Sequence, residues 1–145
     1  MEKEGKKHTT IFYADDDADD LDFFMDATEG LEESTSVFEL GDKMLKVMEN
    51  PPPAPSMIFL DLNMPFKSGF DVLKEIKASP TYADIPVIIL TTSSNEADIL
   101  KCKSLGARLF IRKPTSLNDL KKAINYVLNI DWDTFNPSDK EFFYT

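Results

Sequence analysis

One aspartate stands at the end of an uninterrupted apolar run in the middle of the chain. The run is Met57–Leu60, the acid is Asp61, and Pro65 follows shortly after it. Four consecutive apolar residues are typical of a strand buried on both faces of a parallel sheet, and proline stops strand pairing. Ligands of such sheets bind at the carboxyl ends of the strands, so Asp61 is a candidate functional residue. It could equally cap the helix expected after Ser68, and this stretch alone leaves both interpretations open.

A second group of acids follows the first apolar stretch of the chain. Five aspartates stand close together there: Asp15, Asp16, Asp17, Asp19 and Asp20. Two carboxylates ~5 Å apart repel each other by about 3 kcal/mol at an effective dielectric constant of ~20. Acids crowded at a strand end therefore need a cation, a neutralising lysine or solvent, and the pattern indicates a metal site.

Two metal ions fit different parts of this acidic pattern. Asp15, Asp17 and Asp19 alternate as the ligands of a calcium-binding loop do. However, Asp20 stands where such a loop needs glycine, Phe23 stands where it needs a polar ligand, and a strand rather than a helix precedes the acids. Mg²⁺ accepts one or two carboxylates together with waters and phosphate oxygens, so the sequence favours magnesium.

Two further apolar runs also carry polar groups at their ends. Pro86–Thr92 ends in Thr91 and Thr92, and Arg108–Arg112 is followed directly by Lys113. A hydroxyl there can donate to a phosphate oxygen, and a lysine beside acids is a phosphate or carboxylate partner. The hydroxyls could instead cap the next helix, and the lysine could extend into solvent.

Composition bounds the class of protein. A chain of 145 residues that is 42% hydrophobic suggests one domain with a real core. No apolar run approaches the ~20 residues that span a bilayer, and the charged start of the chain has no signal-peptide core, so we expect a cytoplasmic protein without membrane contact. The net charge of −10 argues against nucleic-acid binding and favours cations or basic protein surfaces.

The remaining classical ligands offer little chemistry. Cys102 is the only cysteine, so no disulfide can form within the chain, and it falls on the inward face of a predicted helix. The single histidine, His8, lies in the expected N-terminal tail, and no fixed partner stands near it in the sequence. We therefore assign neither residue a functional role.

The elements that position these residues alternate between strands and helices. The predicted strands are Thr9–Ala14, Ser36–Leu40, the run that ends before Asp61, Pro86–Thr92 and Arg108–Arg112. The predicted helices are Ala18–Thr28, Asp42–Glu49, one that begins at Ser68 or Gly69, Glu96–Leu105, and one that begins after Thr115 or Ser116. Five such pairs predict an α/β fold with a right-handed, doubly wound parallel sheet. All the strand-end groups described above then meet at one edge of this sheet.

Taken in order, the strand-end residues resemble those of a known family. Asp15 and Asp16, the run Asp61–Pro65, Thr91, and Lys113 with Pro114 are similar to the motifs of the receiver domain of two-component response regulators. The resemblance covers roughly residues 9–130. It implies a flavodoxin-like (βα)5 fold, a five-stranded sheet with strand order 2-1-3-4-5.

The resemblance also implies roles for the acids. Asp61 looks like the phosphoacceptor, which attacks the phosphoryl group on the phosphohistidine of a histidine kinase. Asp15 and Asp16 look like magnesium ligands, and Asp61 and the main-chain carbonyl of Asn63 complete the set that the protein supplies.

The other matched positions are implied to sense the phosphoryl group. Lys113 resembles the phosphate-binding lysine, Thr91 the switch hydroxyl and Phe110 the switch aromatic. Thr92 stands beside Thr91 and offers the same group, and counting back from Lys113 favours Thr91.

These roles predict a stand-alone receiver that works as a phosphorylation-controlled binding module or relay intermediate. We expect it to catalyse only its own phosphorylation and dephosphorylation. The expected partners are a sensor histidine kinase or phosphotransfer protein, a downstream protein and, as one possibility, a second copy of the chain. One alternative is a magnesium-dependent aspartyl-phosphate phosphatase, but that class needs a second acid where this chain has Asn63. Another is a degenerate receiver that binds its partner constitutively.

The chain divides by composition into a tail at 1–8, a receiver domain at 9–130 and an aromatic-rich C-terminal extension at 131–145. The extension contains five large aromatic side chains: Trp132, Phe135, Phe142, Phe143 and Tyr144. It could fold back on its own domain, pair two copies of the chain or bind another protein, because aromatic residues suit all three kinds of interface.

Overall fold

Most of the apolar runs form strands of one parallel sheet. The computed structural model describes residues 10–49 and 55–144. The predicted tail with His8, and the first residue of the first predicted strand, Thr9, lie outside those ranges.

Strands and helices alternate along the described chain. The strands are β1 (Thr10–Ala14), β2 (Ser34–Phe38), β3 (Met57–Leu60), β4 (Val87–Thr91), β5 (Leu109–Arg112) and β6 (Phe143–Tyr144). The helices are α1 (Ala18–Thr28), α2 (Gly41–Glu49), α3 (Gly69–Ala78), α4 (Glu96–Ser104), α5 (Leu117–Leu128) and α6 (Asp139–Phe142).

The sheet has the order β2-β1-β3-β4-β5-β6, and every neighbouring pair is parallel. The predicted doubly wound sheet and its order 2-1-3-4-5 are confirmed. The prediction of five strands was one short, because β6 comes from the C-terminal extension. It has only two residues, which is too short to leave a periodic pattern in the sequence.

The position of β2 differs from the prediction by two residues. We predicted Ser36–Leu40, but the strand is Ser34–Phe38. Its register is set by β1, since Thr10 pairs with Ser34 and Ala14 pairs with Phe38. Pairing with the neighbouring strand therefore decides the boundary, and the polar start of β2 gave no apolar signal for it.

The core lies on both faces of the sheet because alternate strand residues point to opposite sides. On one face, Ile58 and Leu60 pack in a cluster with Cys102 of α4. On the other face, Phe59 packs in a cluster with Phe24 of α1 and with residues of α5. The Cys102 thiol is fully buried, and burial, helped by the charge of Asp98, raises its pKa to about 12. It is therefore a structural residue.

Helix caps settle two of the open interpretations. Ser68 caps α3 in a capping box with Asp71, and the side chain of Asn95 accepts backbone hydrogen bonds at the start of α4. These caps are Ser68 and Asn95, so neither Asp61 nor Thr91 is needed as a cap, and both remain available for other chemistry.

The aromatic extension folds back onto the domain. Trp132 and Phe135 lie edge to face, with ring centroids 5.4 Å apart, and pack against the α1/α5 side of the core. The Arg108 guanidinium donates to the carbonyl oxygens of both residues, at 3.0 and 2.7 Å.

Within the described ranges, no helix is both long and apolar enough to cross a membrane.

A glycine makes the close approach of α3 to the end of β3 possible. The Gly69 N–H donates to the Leu62 carbonyl at 2.9 Å, and a Cβ added to Gly69 would lie 2.2 Å from the main-chain oxygen of Asp61. Helix α3 therefore packs directly against the backbone that carries Asp61.

We predict that Gly69→Ala lowers the free energy of unfolding by about 1–3 kcal/mol, because the added methyl group must push this backbone away. Glycine-to-alanine changes in helices usually have the opposite sign. Urea unfolding measures the difference, and Lys74→Ala on the exposed side of α3 is the control. A Gly69→Ala protein as stable as the wild type would contradict the close approach.

Candidate functional site

The carboxyl ends of β1 and β3 bring two buried aspartates together. Ala14 and Leu60 are paired in the sheet, and the Asp61 N–H donates to the Ala14 carbonyl at 3.0 Å. The next residues along each strand, Asp15 and Asp61, are only 0% and 3% exposed. Two buried acids at neighbouring strand ends repel each other, and the fold must compensate for this.

Three carboxylates converge at this edge. Asp15, Asp16 and Asp61 can each offer one oxygen, and those oxygens lie within 4.8 Å of one another. Asp15 and Asp61 are buried, while Asp16 is exposed at the mouth of the site. Hard carboxylate oxygens are the ligands that Mg²⁺ and similar divalent ions prefer. The donor set therefore fits a divalent cation.

Lys113 supplies positive charge from the end of β5. Its Nζ lies 2.7 Å from Asp15 Oδ2, 2.7 Å from Asp20 Oδ2 and 3.7 Å from Asp61 Oδ1. Burial alone would lower the pKa of Lys113, but the hydrogen bonds to Asp15 and Asp20 and the charge of Asp61 outweigh it and raise that pKa. The lysine does not extend into solvent, and it stays charged at the centre of the acids.

Tyr13, which no sequence pattern singled out, contacts the site directly. The buried Tyr13 hydroxyl donates to Asp15 Oδ2, and the Asp17 N–H donates to Asp15 Oδ1 at 3.0 Å. Burial and the negative charge of Asp15 raise the pKa of Tyr13, so the phenol remains a donor. The sequence does contain a signal for this contact, because Tyr13 and Asp15 are two residues apart, and residues two apart in a strand project to the same side. Asp17 itself caps α1 and is not part of the carboxylate cluster.

Asp61 carries the clearest electrostatic perturbation among the acids. Burial, with the neighbouring charge of Asp15, raises its pKa to about 6, although Lys113 opposes the rise. The carboxylate is consequently ionised at neutral pH but is held in an unfavourable environment. A cation bound beside it would stabilise the charged form.

The hydroxyl at the end of β4 is buried beside this acid. Thr91 is 0% exposed and its Oγ1 makes no hydrogen bond of normal geometry within the described ranges, yet it lies close enough to lower the pKa of Asp61. Thr92 is exposed. The burial pattern therefore favours Thr91 over Thr92 as the hydroxyl of the site.

The two other predicted residues lie at the margins of the cluster. The side chain of Asn63 is exposed on the loop after β3. Phe110, in β5, is fully buried, and its ring meets Phe143 edge to face at a centroid distance of 5.7 Å. Phe110 therefore touches the extension rather than the carboxylates.

Comparison with known proteins identifies relatives of this chain. Residues 11–125 match the response regulator receiver domain family. The response regulator Rcp1 of Synechocystis sp. is 44% identical over 72 residues, which are 50% of this chain and 49% of Rcp1. The two-component response regulator ARR17 of Arabidopsis thaliana is 36% identical over 74 residues, 51% of this chain and 48% of ARR17. The chain thus spans about half the length of the curated relatives it matches.

Similarity to solved structures extends over more of this chain than similarity to the curated sequences does. The phosphorylated cyanobacterial phytochrome response regulator RcpA is 29% identical, with a TM-score of 0.77 over 90% of this chain and 98% of RcpA. The Mn²⁺-bound form of Rcp1 is 28% identical, with a TM-score of 0.73 over 90% of this chain and 99% of that protein.

The raised pKa of Asp61 predicts a pH-dependent stability. Between pH ~4 and ~6 the folded state binds more protons than the unfolded state, so the wild type loses stability as the pH rises through this window. We predict that Asp61→Asn, which lacks the charge, is about 2 kcal/mol more stable than the wild type near pH 8 without divalent ions, and that the difference disappears near pH 4.

Urea unfolding at both pH values, in buffer with a chelator, measures this difference. The matched control is Asp16→Asn, which removes an exposed carboxylate from the same cluster and should change stability by less than about 0.5 kcal/mol. A wild-type protein that equals or exceeds Asp61→Asn in stability near pH 8 would show that burying Asp61 carries no electrostatic cost.

Proposed function

Because the chain belongs to the response regulator receiver domain family, a signalling family, we propose that it is a phosphoacceptor in histidine-to-aspartate phosphotransfer. Asp61 receives the phosphoryl group in a magnesium-dependent reaction, and the phosphorylated protein presents an altered binding surface. The observation that carries this proposal is the buried Asp61 carboxylate, which lies 3.7 Å from Lys113 Nζ and within 4.8 Å of two further acids.

The chemistry requires little beyond positioning and charge. An oxygen of Asp61 attacks phosphorus in line, the bond from phosphorus to the donor's imidazole nitrogen breaks, and the imidazole keeps the electron pair. Since the pKa of Asp61 is about 6, the carboxylate is ionised at neutral pH and needs no general base. Lys113 is placed to neutralise negative charge on the phosphoryl oxygens.

The acids beside Asp61 are assigned to the cation. Asp15, Asp16, Asp61 and the main-chain carbonyl of Asn63 would hold Mg²⁺. When bound, the ion supplies further positive charge to the phosphoryl oxygens. Tyr13 holds the Asp15 carboxylate in place through its hydrogen bond.

The response to phosphorylation begins at Thr91. Its hydroxyl is buried without a normal hydrogen bond, so a phosphoryl oxygen on Asp61 offers it an acceptor. A turn of Thr91 toward this oxygen leaves space into which the Phe110 ring moves. The site thereby controls the surface formed by α4, β5 and α5, and the output is a change in protein binding.

The proposed phosphodonor is a sensor histidine kinase or a phosphotransfer protein, and the output partner is a downstream protein. RcpA and a second similar structure are named as phytochrome and bacteriophytochrome response regulators, so a phytochrome-associated kinase is the first donor to test. The chain itself catalyses only its own phosphorylation and dephosphorylation. Asn63, which stands where an aspartyl-phosphate phosphatase has its second acid, argues against that alternative.

We predict that incubation with acetyl phosphate and Mg²⁺ adds one phosphoryl group to the protein, measured as intact mass. The gain should be absent with a chelator, because the phosphoryl charge is then not neutralised, and absent in Asp61→Asn. Asp84→Asn, which removes an exposed acid elsewhere, should be phosphorylated like the wild type.

Two results would contradict the proposal. If the mass gain persisted in Asp61→Asn, the acceptor would be a different residue. If the wild type gained no mass from acetyl phosphate or from any histidine-phosphorylated donor, the result would refute the phosphoacceptor role and favour a constitutive binding module.

A further inference from the structure

The outer edge of β5 is covered by the chain's own C-terminal segment. Phe110 and Ile111 of β5 pair with Phe143 and Tyr144 of β6 in parallel. Without β6, β5 would be an edge strand with unpaired N–H and C=O groups, which can accept an added strand.

Contacts from three elements hold residues 138–144, called here the C-terminal segment, at this edge. Phe142 is 1% exposed and belongs to the same core cluster as Phe110. The Tyr144 ring lies 5.0 Å from the Tyr126 ring of α5, and Asp139 forms an ion pair with Lys103 of α4. The segment therefore bridges α4, β5 and α5.

Phe142 anchors the segment in the core, whereas the docking of the two residues that follow it is shallow. The strand pairing extends over only two residues, and the Asp139 side chain is 82% exposed, so its ion pair is screened by solvent. Phe143 and Tyr144 are only partly buried. A competing strand that offers similar aromatic contacts could replace Phe143 and Tyr144 on β5 while Phe142 stays in the core.

One side chain connects the C-terminal segment to the phosphorylation site. The Phe110 ring contacts Phe143, and Phe110 lies three residues before Lys113, which directly follows β5. The neighbouring strand carries Thr91, which is paired with Arg112 and whose carbonyl accepts a hydrogen bond from the Lys113 N–H at 2.7 Å. A movement of Phe110 thus alters the support of Phe143 directly.

A groove of about 910 Å³ continues from the end of β6. Its walls include the Thr92 and Ser94 hydroxyls, the cationic side chains of Arg112 and Lys122, and a single acid, Asp119. A strand that ran along β5 in the direction of β6 would lead into this groove. The excess of positive charge in the groove would attract an acidic residue that follows the strand of a bound partner.

We propose that the edge of β5 and the groove beyond it form the docking surface for the downstream partner, and that the C-terminal segment occupies this surface until Asp61 is phosphorylated. The partner that fits is an extended segment in which aromatic residues pair with β5 and an acidic residue follows them. The inference rests on the proposed function, since phosphorylation is the event that releases the segment.

The proposed release depends on packing. In it, Thr91 turns toward the phosphoryl group and the buried Phe110 ring shifts toward the vacated space, because protein cores do not keep voids. The ring then withdraws from Phe143, and the C-terminal segment loses its central contact. Coupling between two sites is reciprocal, so weakening the segment must also favour phosphorylation.

The test is amide hydrogen exchange of residues 139–144 before and after treatment with acetyl phosphate and Mg²⁺, with phosphorylation measured by intact mass in the same sample. Exchange should become at least fivefold faster in phosphorylated wild type and should not change in Asp61→Asn. Phe143→Ala should show the faster exchange without phosphorylation. The control is Phe135→Ala, which removes the same aromatic volume from the extension. The Phe135 ring contacts Trp132 and not Phe110, so this variant should behave as the wild type.

The docking surface is tested separately with a fluorescent peptide of residues 138–144. The peptide should bind Phe143→Ala at least fivefold more tightly than it binds unphosphorylated wild type or Phe135→Ala. Equal binding to all three proteins would overturn the docking surface. Full phosphorylation of Asp61 with unchanged exchange would overturn the release while leaving the proposed function intact. Absence of phosphorylation would instead refute the function and, with it, the release.

Discussion

The central constraint of this structure is that the paired strands β1 and β3 hold Asp15 and Asp61 close together. Parallel pairing of β1 with β3 places both carboxylates at one edge, and burial removes the solvent that would screen them. Lys113 and the Tyr13 hydroxyl compensate part of the repulsion. The remaining cost appears as the raised pKa of Asp61. A site with this excess of negative charge fits a divalent cation.

The same sheet connects this edge to a protein surface. Thr91 lies in β4 beside Asp61, and the neighbouring strand β5 contains Phe110 and is followed directly by Lys113. Lys113 thus lies at the carboxylates, while Phe110 lies against Phe143 of the C-terminal segment. In the proposed function, a local change at the carboxylates is passed on by side chains that change position, rather than by movement of whole strands.

Sequence patterns located the acids that converge at the candidate site better than they located the edges of the sheet. The central strands were recognisable because burial on both faces requires continuous apolar runs, and the polar residue after each run marked the site. The start of β2 was misplaced since Ser34 and Thr35 are polar and its register depends on β1. Strand β6 was missed because its pairing depends on Phe110, which is remote in sequence. Distances such as those around Lys113 follow only from the assembled fold.

The binding of a divalent cation to the acids tests this account most directly. Thermal unfolding of the wild type and of Asp16→Asn should be compared with and without millimolar Mg²⁺ near neutral pH. Asp16 is exposed, so both proteins should melt at nearly the same temperature without the ion. Mg²⁺ at ten times its dissociation constant should raise the wild-type melting temperature by about 3–5 °C and leave the variant nearly unchanged. An equal response in both proteins, or none in either, would contradict the assignment of these acids to the cation.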